Sequence, residues 1–298
     1  MQLTYQFLMI SKNRKQHPKW HKHRLTIFVT LLIFTLGCVV LTGYLTAIRL
    51  PIFGFHDIYH PEHPGYVSDA PYLDYSSIKL EKVLNQLVTE NYWFLSSPEI
   101  EQYFIEKTTQ LPPSRQRSRP VAISFDDSYK SVKTEVLPIV ERIYHEHGIK
   151  IPLILFLNSE RMSKPSDEKY LTCDDIKEGM LAGFYDVQSA GKDHRKLTKY
   201  SSSIVEADIA HSQTWLRQCL GNRGNATPIA QHFAYPYNNL NRRVINIVSQ
   251  FHLTAFRYHN RLQRMGWTTR RYAISRLGVN QNTPPSYLLK QAHLASQL

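Results

Sequence analysis

From about residue 120 onwards, short apolar runs alternate with longer stretches whose apolar positions recur every three or four residues. The runs near 121–126, 151–157, 184–189, 232–235 and 254–257 are too short for helices and predict buried strands. The stretches near 131–147, 173–182, 202–219 and 240–250 predict the helices between them. Upstream, Leu80, Val83, Leu84 and Leu87 mark one face of an amphipathic helix. Ser97-Pro98-Glu99 reads as a cap, a first-turn proline and an acid opening a helix through Lys107. Residues 48–78 read as a strand plus loops, and residues 111–119 as a basic, proline-bearing loop. Strand–helix alternation of this kind predicts an α/β fold whose parallel strands close into a distorted (β/α) barrel. In such barrels chemistry gathers at the carboxyl ends of the strands. Asp126, Asp127, the segment from Ser189 to His194, and Tyr235-Pro236-Tyr237 all fall at predicted strand ends.

One segment breaks the pattern. Residues 25–47 are apolar almost throughout, and at 1.5 Å per residue reach about 34 Å, against about 30 Å of bilayer hydrocarbon. A cleaved signal peptide carries an apolar region of only about 7–15 residues, so the length predicts a retained transmembrane helix. The preceding tail holds Lys12, Arg14, Lys15, Lys19, Lys22 and Arg24 with no acid. The positive-inside rule therefore leaves it in the cytoplasm and sends the remainder to the periplasmic or extracellular side. The expected organisation is a basic tail over 1–24, a signal-anchor helix over 25–47 in contact with the lipid bilayer, and one domain over 48–298.

Charge sharpens this picture. The 298 residues carry a formal net charge of +12, yet no Asp or Glu follows Asp208, where eleven Arg and Lys residues remain. The asymmetry fits a surface facing an acidic glycan or the outer leaflet, and equally a solvated basic face with no partner. Nucleic acid is not an expected partner of an exported, tethered domain. Cys38 falls in the apolar segment, while Cys173 and Cys219 could pair in an oxidising compartment but, far apart in sequence, read first as buried, unreactive thiols. No G-x-S-x-G and no phosphate-binding glycine loop is present, which removes the usual serine-hydrolase and nucleotide classes.

The run Val121-Ala122-Ile123-Ser124-Phe125 ends on Asp126 and Asp127. Adjacent side chains at a strand end point to opposite faces, so one carboxylate can hold a metal while the other takes a proton from water. By itself the pair reads first as opening a turn or capping the helix that starts near Ser131. Around it stand Gly54-Phe55-His56-Asp57-Ile58, Asp186-Val187-Gln188-Ser189, His194-Arg195-Lys196-Leu197-Thr198 and Phe233-Ala234-Tyr235-Pro236-Tyr237. In this order they resemble the polysaccharide deacetylases, the NodB-homology group of carbohydrate esterase family 4. The likeness is to the permuted subgroup whose "FHD" segment precedes the aspartates, and it spans roughly residues 50–280.

The resemblance implies that Asp126 is the general base and His56 the general acid. It makes Asp127 and His194 ligands of a divalent metal, zinc or similar, and gives Tyr235, Pro236 and Tyr237 to the substrate groove and oxyanion site. It also implies a second ligand histidine, where this chain has Ala190. Ser128 stands where glycine is usual, a change that matters only if the position needs positive φ. Arg276 and Leu277 resemble the closing strand and line the site without an assigned role. The function implied is metal-dependent hydrolysis of acetyl groups, N-acetyl first, from a cell-envelope or exported polysaccharide. The alternative is a glycan-binding pseudoenzyme of the same fold.

Overall fold

The computed structural model of the chain describes residues 19–45, 47–62, 70–164, 168–221, 228–266 and 269–298. They divide into two units, one ending at Thr46 and one running from Ala47 to Leu298. The first contains the helix Lys19–Leu45, within which Leu25–Gly43 is long and apolar enough to cross a membrane. Its apolar side chains are exposed on every face, as a lipid-facing helix requires. The helix starts earlier than the expected residue 25 because no breaker separates the apolar run from the basic segment before it. Lys12, Arg14 and Lys15 lie outside the described residues.

The second unit is a closed barrel of seven parallel strands. In chain order they are β1 (Ile52–Phe55), β2 (Arg119–Asp126), β3 (Leu153–Leu157), β4 (Tyr185–Ser189), β5 (His232–Ala234), β6 (Thr254–Tyr258) and β7 (Ile274–Gly278). Spatially β2 to β6 follow one another, β7 comes next, and β1 closes the ring between β7 and β2. Closure is set by the pairs Ile52↔Ala122, Phe53↔Ile123, Gly54↔Ser124 and Phe55↔Phe125. The start of β2 has another partner, because Tyr92–Phe94 pairs with Arg119, Pro120 and Val121.

Period-two alternation sorts the side chains. Val121, Ile123, Phe125, Leu153 and Leu155 join the cluster under the surrounding helices. Ala122, Ile154, Phe156, Ala190, Ala234, Phe256 and Ile274 form a second cluster, which fills the barrel. Polar groups share that interior. Gln188 donates to Asp186 at 2.6 Å and accepts from the His232 backbone N–H at 2.8 Å, while His232 Nδ1 pairs with Thr254 Oγ1 at 2.8 Å.

The outer helices match their sequence signals. Ser77–Thr89 buries Leu80, Val83, Leu84 and Leu87, the positions that predicted it. The helix expected at Ser97 is capped one residue earlier: the Ser96 hydroxyl accepts from the Glu99 N–H, and the Glu99 carboxylate accepts from the Ser96 N–H. Lys107 closes its continuation in the left-handed region at φ 54. Cys173, opening the helix Cys173–Leu181, is disulfide-bonded to Cys219 near the end of the helix Ser202–Leu220. The expectation of buried thiols is thus corrected: two helices packed side by side bring the residues within bonding reach, which sequence separation alone cannot show.

The bridge closes 46 residues of chain, for which loop entropy alone gives about 4 kcal/mol of stabilisation, with measured values usually about 2–4 kcal/mol. Cys173→Ser/Cys219→Ser should lose about that much in denaturant unfolding, and an unchanged midpoint would contradict the bridge.

His232 and His252 are buried, and burial pushes both imidazoles from 6.5 down to about 3. Nearby charge adds to this, from Arg271 on His232 and from His232 on His252. The unfolded chain therefore binds protons first, and stability should fall as pH drops from about 6.5 towards 3. Unfolding free energies measured across that window should decline less steeply in His232→Gln than in the parent.

Candidate active site

Asp126 ends β2 on the inward face, two residues beyond Ser124. Arg276 occupies an inward position of β7, is 1% exposed, and reaches across to it. The guanidinium donates from Nη1 to Asp126 Oδ1 at 2.7 Å and from Nη2 to Oδ2 at 2.8 Å. Nη1 also reaches Ser124 Oγ at 3.1 Å. The rings of Phe156 and Tyr258 lie 4.8 and 4.3 Å from the guanidinium carbon, so the buried charge is faced by π-systems as well as by its carboxylate. Tyr258 donates its hydroxyl to Asp126 Oδ2 at 2.9 Å and stacks on His56, centroids 5.7 Å apart. Gly54 gives the ring its place, since a Cβ there would stand 2.6 Å from Tyr258.

Beyond β2 the backbone turns through two left-handed residues, Asp127 at φ 71 and Ser128 at φ 62. Each such non-glycine residue costs about 1–3 kcal/mol unless the surroundings fix it. Ser128 is fixed by its hydroxyl, which accepts from the Asn158 N–H at 2.9 Å. Position 128 does therefore need positive φ, and serine in place of glycine is held there by a bond that glycine could not make.

The Asp127 carboxylate receives His194 Nε2 on Oδ1 at 3.0 Å and faces Arg161 Nη1 from Oδ2 at 3.4 Å. Arg161 also donates to the Asp127 carbonyl at 3.0 Å. Burial would raise the Asp127 carboxyl. The His194 hydrogen bond, with the charges of His194, His56 and Arg161, outweighs it and holds the group well below the ordinary carboxylate range.

His194, itself at φ 50, sits on the loop after β4. Asp208 accepts the N–H groups of Lys192 and Asp193 at 3.0 and 3.1 Å, and Asn158 donates to the Ala190 carbonyl at 2.8 Å. Gly191 lies at φ 80, and a Cβ there would stand 2.5 Å from Asp208 Oδ1. Asp193 turns to Arg195 and does not join Asp127. After β5, Tyr235 points its hydroxyl to the Tyr272 carbonyl at 2.9 Å and Pro236 is buried. Tyr237 stays 58% exposed, its ring 4.4 Å from that of His194. A cavity of about 350 Å³ opens among His56, Asp126, Asp127, Arg161, His194 and Tyr237, with Ala190 in its wall.

Residues 114–256, which hold this aspartate pair and the loops facing it, match the family model "Polysaccharide deacetylase". The chain carries a polysaccharide deacetylase domain. Among curated proteins none matches. Solved structures share the fold at low identity. The deacetylase PplD of Streptococcus pyogenes, in complex with acetate, aligns at TM-score 0.67 and 19% identity, over 83% of this chain and 99% of that one. A polysaccharide deacetylase of Bacillus cereus aligns at 0.65 and 16%, over 83% and 69%. A de-N-acetylase of Aggregatibacter actinomycetemcomitans aligns at 0.63 and 16%, over 82% and 99%.

The deacetylase family implies a divalent metal, and the donor set does not fit one. Catalytic zinc sites use three protein ligands. Asp127 and His194 meet, but Ala190 offers only a methyl group, and Arg161 presses a permanent cation on the same carboxylate. Among the described residues no group of three His, Cys, Asp or Glu side chains could hold a metal ion.

Sequence reasoning missed three of the domain's parts. Arg161 and Tyr258 reach the cavity by tertiary folding and leave no local signal. Asp208 was visible only as the last acid of the chain. Arg276 did carry a signal, as the lone charge within the short strand Ile274–Gly278.

Asp126→Asn leaves the Arg276 charge buried without its carboxylate, and should cost about 3–5 kcal/mol in chemical denaturation. Adding Arg276→Met should recover part of that loss. Strict additivity of the two would show the pair to be uncoupled.

Proposed function

We propose that this domain removes acetyl groups, N-acetyl first, from a polysaccharide of the cell envelope or one under export. The observation that carries the reading is one cavity lined by both a carboxylate with fixed oxygens, Asp126, and an imidazole, His56, whose buried Nδ1 has no partner. Asp126 takes a proton from water as the water oxygen adds to the acetyl carbonyl. The Tyr237 backbone N–H, at the Tyr235-Pro236-Tyr237 turn, stabilises the oxyanion. The C–N bond then breaks, His56 protonates the departing amine, and acetate and a free amino sugar leave. The exposed Tyr237 ring offers a flat face for a sugar. Likeness in fold to PplD, solved with acetate, and to a de-N-acetylase supports the choice of reaction.

The helix Lys19–Leu45 anchors this activity in the membrane, with the domain on the periplasmic or extracellular side. The disulfide supports export, because such bonds persist in oxidising compartments. A second reading, an acetylated-glycan binder without turnover, is favoured by Ala190 at the expected ligand position. Full-length protein in detergent should release acetate from N-acetylhexosamine oligomers, and His56→Gln should slow release by about 10²-fold or more. An unaltered rate in that variant would sink the acid role. Oligomer binding with no acetate released by the parent would select the second reading.

A further inference from the structure

The cavity contains a feature that the deacetylase reading leaves unused. Arg161 is the last residue but one of the short helix Ser159–Met162, and its guanidinium is held between two oxygens and two aromatic rings. Nη1 donates to the Asp127 carbonyl and faces the Asp127 carboxylate, while the Tyr170 and Tyr129 rings lie 5.0 and 5.8 Å from the guanidinium carbon. Those two tyrosines are joined by a backbone bridge, so the frame around the cation is built from two separate segments of chain. A guanidinium keeps its proton at every ordinary pH, so the side chain is a permanent cation. His194 spends Nε2 on the other carboxylate oxygen.

We infer that Arg161 stands in for the metal ion of the deacetylase family: the pocket is complete without a divalent cation and meets its acetylated sugar with a fixed guanidinium. The inference rests on reading the cavity as an acetylated-glycan site. Three observations carry it together. The position of one ligand is a methyl group. The two ligand side chains that remain are already hydrogen-bonded to each other. A cation that cannot be deprotonated lies against the carboxylate a metal would need, so a divalent ion placed there would meet like charge at close range. Arg161 lines the same cavity as Asp126 and His56, where a planar N–H donor set can bind the acetyl oxygen and the oxyanion formed from it.

The test starts with metal content. Full-length protein, loaded with zinc and then desalted, should retain far less than one zinc per chain, and its melting temperature should be the same in zinc and in EDTA. Ala190→His/Arg161→Gln should retain close to one zinc and melt higher with it, whereas Ala190→His with Arg161 in place should not. Zinc held stoichiometrically by the parent, or by the Ala190→His single variant, would overturn the inference. Binding of N-acetylglucosamine oligomers should be insensitive to EDTA and weaken about tenfold in Arg161→Gln. Binding abolished by EDTA, or unchanged in Arg161→Gln, would also overturn it. Failure of every acetylated oligomer to bind the parent would instead reject the glycan reading, with the metal measurements still deciding the role of Arg161.

Discussion

The buried pair of Arg276 with Asp126 is the contact on which the working end of the barrel depends. A guanidinium inside a barrel is tolerable only if its charge is met and its N–H groups are used. Here a bidentate carboxylate, a serine hydroxyl and two aromatic faces share that task, and only Nε is left without a hydrogen-bond partner. The pair links β2 to β7 across the interior and leaves Asp126 a single orientation. Tyr258 extends the arrangement to His56, and Gly54 in β1 provides the space for its ring. Four of the seven strands, β1, β2, β6 and β7, thus meet around one carboxylate, each contributing a residue whose size or charge the others require.

A second framework holds Asp127 and His194, and it works by backbone strain. Asp127, Ser128, His194 and Tyr237 all lie in the left-handed region, clustered round one cavity. Such conformations persist where neighbouring bonds over-determine them. The Ser128 hydroxyl does this on one side of the cavity, and Asp208 with Asn158 does it on the other. Asp208 sits deep enough that burial raises its carboxyl above the ordinary range, even though it accepts two backbone N–H groups. Its part is mechanical: it shapes the loop that carries His194.

Much of this architecture is legible in the amino-acid order, for physical reasons. Strands buried on both faces read as short apolar runs, and Leu80, Val83, Leu84 and Leu87 could serve only one face of a helix. Asp126, Asp127 and Tyr235 to Tyr237 announce themselves because they interrupt apolar runs at strand ends. What stays hidden is whatever depends on two distant segments meeting. Arg161 and Tyr258 are unremarkable in their own neighbourhoods, and the bond between Cys173 and Cys219 follows from the packing of two helices. The cap at Ser96 is a smaller case of the same kind, since a serine pair leaves the choice to local geometry.

The divided partnership of β2 places the catalytic end under a mechanical constraint. Tyr92–Phe94 claims the strand up to Val121, and β1 takes over at Ala122, with no free residue between the two. Side chains alternate with each residue, so a slip of one position along either partner would exchange the inner and outer faces of β2. Asp126 would then turn towards the helices, and Phe125 would enter the barrel beside an unmatched guanidinium. Two short neighbours laid end to end therefore act as a ratchet stop for the longest strand of the barrel.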